Sequence, residues 1–320
     1  MGGIKMRRFG EYTWYHKHGD SAANPRVLAE VCKMEHMSQQ EQVDLCYFYS
    51  LTYCVASALR IMQDRDSLLN DTERTAAALR PALLFQSDRR YVACNKMFER
   101  ALMYWRDNLS ENSETLGQSL VDASGSLSFA EAIPIVESFP SFGRYAAYLY
   151  AETYETVLGL PLSSDFSHVE YDSGRVFTAG LLHLFELDES AEVFEKKGFG
   201  GVKNLDETRL NSLLKRLMNH LQKNIGEVSI YQVETSLCAY RKFFKGTRYN
   251  GYYADRQLDE LLKISGRIDS DIVRVVLEAR SRVLPAEYLG EVGGWNGIRK
   301  DLKTYYQENR EINGCPINSS

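Results

Sequence analysis

The sequence predicts a mainly α protein built as two helical lobes. Three observations carry that expectation. Apolar residues recur at helical spacing over long stretches, while regular alternation of apolar and polar residues is scarce. Only 7 prolines interrupt the 320 residues, which suits a helical protein with short connections. A turn containing Pro140 and Gly143 separates two segments of helical spacing.

Taken in order, Val43 to Met62 reads as one long helical stretch and Asn95 to Trp105 as another. The polar run Ser110-Glu111-Asn112-Ser113-Glu114 marks a soft division. It gives an N-terminal helical lobe over residues 1–110 and a second over 111–320, the two forming one functional unit. Asp122 to Ser128 is a polar, Gly-containing break, and Phe129 to Ser138 reads as a short helix. From Tyr145 to Leu158 the spacing is again helical, through Ala147, Leu149/Tyr150, Tyr154 and Val157/Leu158, until Gly159-Leu160-Pro161 ends it. Beyond Val202, Arg209 to Gln222 repeats the pattern and Gly246 to Gly251 breaks it. The last residues, Gly314 to Ser320, read as a frayed tail.

Composition narrows the function. No apolar run approaches the roughly 18 residues needed to cross a bilayer. Met1-Gly2-Gly3-Ile4-Lys5 is not followed by a hydrophobic signal core, so a cytoplasmic location is expected. The six cysteines (Cys32, Cys46, Cys54, Cys94, Cys238, Cys315) include no C-x-x-C pair. That spacing fits neither zinc nor an iron–sulfur cluster and reads as buried small hydrophobes, so no metal and no cofactor are expected. Formal net charge is −5, yet between Cys238 and Arg256 the cations Arg241, Lys242, Lys245, Arg248 and Arg256 face Asp255 alone, a local +4. Binding to DNA phosphates needs only such a local patch.

The stretch Phe139-Pro140-Ser141-Phe142-Gly143-Arg144-Tyr145-Ala146-Ala147 makes a helix-hairpin-helix with its flanks. Such a turn presents backbone N–H groups and a helix N-terminus to a phosphate, which assigns Ser141, Gly143 and Arg144 to DNA contact. The same run also occurs in plain αα-corners. Its residues resemble the hairpin of helix-hairpin-helix DNA glycosylases, which reads roughly L-P-G-[VI]-G-[RP]-x-[TS]-A. Ser141 stands for the first glycine and Ala146 for the hydroxyl residue.

That resemblance implies a catalytic carboxylate about twenty residues beyond the hairpin helix. Asp165 is the candidate, with Asp172 in Tyr171-Asp172-Ser173-Gly174-Arg175 as its competitor. Either would stabilise charge on the sugar and orient a water; equally, each could simply close a turn. Strand-cutting members place a Lys after the Arg, where its amine forms a Schiff base. Tyr145 stands there, so excision would stop at an abasic site. In Gly246-Thr247-Arg248-Tyr249-Asn250-Gly251-Tyr252-Tyr253, aromatics interleave with Arg and Gly, a composition suited to stacking on a base and also to a tyrosine-rich loop packing on a helical core. Arg248, Tyr249, Tyr252, Tyr145 and His168 are therefore pocket candidates. Arg89, Arg90, Arg241 and Lys245 are candidate phosphate contacts, with a solvated or ion-paired helix end as the plainer reading of Arg89-Arg90.

Taken together, these segments resemble the alpha-glutamyl/putrescinyl-thymine pyrophosphorylase superfamily, the amino acid:DNA transferases. The resemblance spans about residues 10–260. Its carriers are Asn24-Pro25-Arg26-Val27-Leu28, Cys46-Tyr47-Phe48-Tyr49-Ser50-Leu51-Thr52-Tyr53, Leu84-Phe85-Gln86-Ser87-Asp88-Arg89-Arg90-Tyr91, Phe142-Gly143-Arg144-Tyr145-Ala146-Ala147, Glu234-Thr235 with Leu237-Cys238, and Arg248-Tyr249 with Gly251-Tyr252. Asn24 stands where the family's motif has an acidic residue, which removes a carboxylate from that position. The resemblance implies a glycosylase-like helical fold and action on modified bases in DNA, in phages that hypermodify thymine and in bacterial systems that oppose phages.

Three readings follow. The first is a monofunctional DNA glycosylase that flips out and excises a bulky phage-type base in antiphage defence. The alternative is a transferase joining an amino acid or polyamine to an activated hydroxymethyl pyrimidine in DNA. The third is a helical module that binds modified DNA for a partner without catalysis.

Overall fold

Ser38 and Glu41 close a capping box that starts α3 (Gln39–Thr52): the Ser38 hydroxyl accepts from the Glu41 backbone, and the Glu41 carboxylate accepts from the Ser38 N–H at 2.7 Å. From Val43 to Thr52 every residue of α3 is buried, including Asp44, Ser50 and Thr52. A helix segment buried on all sides belongs in the middle of a core, and neighbouring helices pack on this one. The computed structural model describes residues 2–19, 21–85, 97–110, 127–159, 162–163, 176–185, 195–197, 201–203, 207–244, 251–285 and 289. The fold is mainly α.

The chain divides into two compact units, each assembled from separated segments. One comprises Ala23–Ser163 and Arg256–Leu284. Around α3 it gathers α2 (Ala23–Met34), α4 (Val55–Gln63), α5 (Arg65–Asn70), α6 (Thr72–Leu79), α7 (Phe98–Asn108), α8 (Phe129–Glu137), α9 (Arg144–Leu158) and α14 (Ser270–Val283). Most of α13 (Tyr252–Ile264) belongs here too.

The stretch from Val43 to Met62 is two helices rather than one. Tyr53 ends α3 in the left-handed region (φ 52°), and Cys54 is extended before α4 begins. The break holds because the Thr52 hydroxyl donates to Phe48 O at 3.0 Å and accepts from the Cys54 N–H at 3.4 Å. The helix expected from Asn95 runs from Phe98 to Asn108.

Asp44 ties this unit together from inside. Its carboxylate is fully buried and accepts from Trp105 Nε1 at 2.8 Å, Gln40 Nε2 at 2.8 Å and Arg65 Nε at 2.7 Å. One carboxylate thus joins α3, α5 and α7, and each donor offsets part of its desolvation. Even so, burial outweighs the three donors and raises the carboxyl pKa above its ordinary value.

A second polar chain crosses the unit between α2, α13 and α14. Arg280 is 2% exposed and donates to Gln257 Oε1, whose amide nitrogen donates to Asn24 Oδ1 at 2.8 Å. Asn24 opens α2 as part of the structure, its amide oxygen committed to this chain. Burial pushes the Cys32 thiol up to about 12 and that of Cys54 up to about 11.

The other unit comprises Met1–Ala22, Ser164–Asp255 and Pro285–Ser320. Here α1 (Gly2–His18) packs on α11 (Glu207–Ile225) and α12 (Ile230–Phe244), and α10 (Val176–Leu184) packs on α12. A short antiparallel pair, β3 (Glu195–Lys197) with β4 (Gly201–Lys203), adds the register Lys196↔Val202. Buried His16 Nδ1 and Ser236 Oγ share a hydrogen bond of 3.1 Å across the α1–α12 contact. The Tyr12 ring lies 5.5 Å from His16 and 5.1 Å from Tyr240. Gly180 lets α10 approach α12 closely: a Cβ there would stand 2.8 Å from Leu237 O.

Candidate nucleic-acid interface

On either side of the Pro–Gly turn stand two packed helices, α8 and α9, joined by residues 138–143. Three backbone bonds build the turn: Ser138 N–H to Ile135 O, Phe139 N–H to Val136 O and Phe142 N–H to Phe139 O at 3.1 Å. At its base a two-residue parallel pair, β1 (Leu127–Ser128) with β2 (Leu162–Ser163), closes the loop.

Phe139 and Phe142 seat the turn on the core. Phe142 stacks on Tyr47 at 5.3 Å and meets Tyr150 edge-on at 6.1 Å. Phe139 meets Tyr104, Tyr150 and Phe142 at 5.6 to 6.0 Å. Tyr47 is itself fixed by donating to Ala101 O at 3.0 Å. With both Phe rings turned inward, Pro140 and Ser141 between them are half-buried and Gly143 after them is exposed.

Ser141 occupies the left-handed region (φ 75°) at the position where the glycosylase hairpin carries its first glycine. Serine holds this left-handed conformation at the strain a side chain adds. Gly143, exposed, is the N-cap of α9 with ordinary extended backbone (φ −92°), and a Cβ there would meet nothing within 4 Å. Neither its conformation nor its space demands glycine. No side chain caps the helix at Gly143, and its first turn holds no acidic residue. The positive dipole end of a 15-residue helix thus starts at an exposed glycine with no acidic residue in its first turn, an arrangement suited to accepting a phosphate.

Arg144 and Tyr145 open α9, and Arg241 lies in the last turn of α12. Tyr252 begins α13, half-buried, its ring edge-on to Tyr253 at 5.4 Å. Arg256, counted among the local cations, donates to Glu260 at 2.9 Å, so part of that charge is spent within the fold. Asp165, Asp172, His168, Arg89, Arg90, Lys245, Arg248 and Tyr249 lie outside the described residues.

The family described as amino acid:DNA transferase matches this chain over residues 26–249, more than half its length. The chain belongs to the amino acid:DNA transferase family. No curated protein matches it. The matched span runs from α2 to just beyond α12 and takes in the whole hairpin together with Asp165 and Asp172. The family's description is of transfer onto DNA, not of base excision. Of the two enzymatic readings, membership therefore favours the transferase over the monofunctional glycosylase first expected. Among the described residues no helix is long and apolar enough to cross a membrane.

Two internal networks escape sequence reading. The Asp44 cluster and the Arg280–Gln257–Asn24 chain join residues as far as 233 positions apart. The one local signal was Trp105 on an otherwise amphipathic helix, since a buried indole N–H needs an acceptor.

Proposed function

We propose that the protein is a DNA base-modifying transferase that joins an amino acid or amine to an activated hydroxymethyl pyrimidine in DNA. The observation that carries this reading is the family match over residues 26–249. The exposed, uncapped start of α9 supports it by offering a phosphate contact that a DNA-acting enzyme requires.

In this reading Gly143, Ser141 and Arg144 hold a backbone phosphate and Arg89 and Arg90 add cations of the same unit. The target base leaves the stack and is held by Tyr249, Tyr252, Arg248 and His168. The amine nitrogen attacks the exocyclic methylene carbon. A C–N bond forms, the C–O bond to the activating group breaks, and the electron pair departs with that group. Asp165, or Asp172 in its place, takes the proton the nitrogen must lose.

The test is nucleoside mass spectrometry after incubating the protein with DNA carrying activated hydroxymethyl pyrimidine and a pool of amino acids and amines. A nucleoside heavier by the donor less the leaving group supports transfer, and its loss in Asp165→Asn and Asp172→Asn variants identifies the base. Free base with abasic DNA would overturn transfer in favour of excision.

A further inference from the structure

Outside the hairpin, helices α2, α3, α4, α5 and α14 line a cleft of about 310 Å³ within one unit. Its floor is aliphatic: Val31, Leu59, Ile272 and Val275, each less than 8% exposed. The half-buried thioethers of Met37 and Met62 flank it, side chains that reshape easily around a guest.

Around the mouth stand four carboxylates, Glu35, Glu41, Asp66 and Asp271. The cation lining the cleft, Arg65, is already engaged. Its Nε lies 2.7 Å from Asp44, its guanidinium sits over the Trp105 ring at 5.9 Å, and Asp66 is only a distant partner at 3.8 Å. Asp271 meets Arg274 at 3.4 Å, and among the described residues Glu35 has no ion-pair partner. The mouth therefore keeps net negative charge above an apolar floor. Among the described residues no three His, Cys, Asp or Glu side chains stand close enough to hold a metal ion, so the carboxylates form a spread rim and not a chelating centre.

We propose that this cleft binds a small alkylammonium ion, with the aliphatic stem on Val31, Leu59, Ile272 and Val275 and the ammonium among the rim carboxylates. An anion meets like charge and no uncommitted cation. A neutral apolar molecule leaves the rim unused. A macromolecular surface is poorly matched to an enclosure at the small end of ligand-pocket volumes. An ammonium on a flexible stem satisfies floor and rim together, and nothing in the argument depends on the DNA reading.

The test uses the full chain with methyl-labelled methionine at low ionic strength, where rim charges are least screened. Hexylamine is expected to move the Met37 and Met62 methyl resonances saturably. Hexan-1-ol, of equal length without the charge, is expected to bind at least tenfold more weakly. Glu35→Lys, an exposed substitution, should weaken hexylamine about tenfold, and Val275→Phe should abolish it by filling the floor. If Val275→Phe fails to fold, the amine–alcohol comparison on the unmodified protein still decides. Equal affinity for amine and alcohol, methyl shifts confined to other methionines, or no saturable shift overturns the proposal.

Discussion

The ring of Phe142 lies nearly parallel to that of Tyr47, centroids 5.3 Å apart and planes 15° from parallel. That pair fastens the turn between α8 and α9 to the buried helix α3, and through the Tyr47 hydroxyl to Ala101 O on α7. The exposed backbone at Gly143 therefore owes its position to a core contact one residue away. Replacing Phe142 by Ala removes a 5%-exposed ring and leaves a cavity, at a cost of about 3 kcal/mol or more. Urea unfolding reads that loss. DNA affinity at fixed salt should fall as well, because the turn loses its seat.

Gly180 makes the opposite kind of demand. A methyl group there would stand 2.8 Å from Leu237 O and 3.0 Å from Leu237 Cβ, and the obstacle is backbone, not a flexible tip. Gly180→Ala must push α10 away from α12 and should cost about 1–3 kcal/mol despite the better helix propensity of alanine. A rise in thermal midpoint would show that the two helices have room to separate.

The helices were legible where apolar residues keep one face. Both helices begin and end within a residue or so of the expected bounds, since α9 buries Ala147, Leu149, Tyr150 and Tyr154 at helical spacing. Residues 43–62 hid their break because α3 is buried on every side from Val43 to Thr52, so the largely apolar run crosses Tyr53 without a local stop signal. Polar partnerships were illegible for a different reason. His16 meets Ser236 and Asn24 meets Gln257 only after the chain returns from over 200 residues away, and no local period encodes that. In the candidate site, the Pro–Gly turn pointed to the hairpin. The left-handed backbone at Ser141 did not show, because serine there gives no glycine signal.

Two carboxylates should give opposite pH dependences. Hydrogen bonds from Ser38 lower the Glu41 pKa, so its stabilisation is present above the unfolded-state value and is lost as pH falls through the folded one. Burial raises that of Asp44. The folded state then binds the extra proton, so this group's contribution declines as pH rises from the unfolded value through the higher folded one. Denaturation series between pH 3 and 7 on Glu41→Gln and Asp44→Asn separate the two. Glu41→Gln should flatten the acid-side loss, and Asp44→Asn should remove a decline toward neutral pH. The same sign from both variants would contradict the assignment.

Gly143 offers the cleanest separation of fold from function. Its φ of −92° suits any residue and its Cβ direction is empty to 4 Å, so Gly143→Ala should change stability by less than about 1 kcal/mol. A phosphate seated on the first N–H groups of α9 would lose its close approach to the backbone. A hydrogen bond to a charged group is worth about 1.5–3 kcal/mol, so DNA affinity should fall about tenfold or more. Arg144→Ala provides the contrast. Removing a cation that neutralises one phosphate should lower the slope of log affinity against log salt by about one, whereas Gly143→Ala should leave the slope nearly unchanged. Anisotropy titrations of a labelled duplex across a salt series measure both quantities. Unchanged binding by both variants would mean that the chain meets DNA elsewhere and that α8 and α9 form an ordinary helical corner.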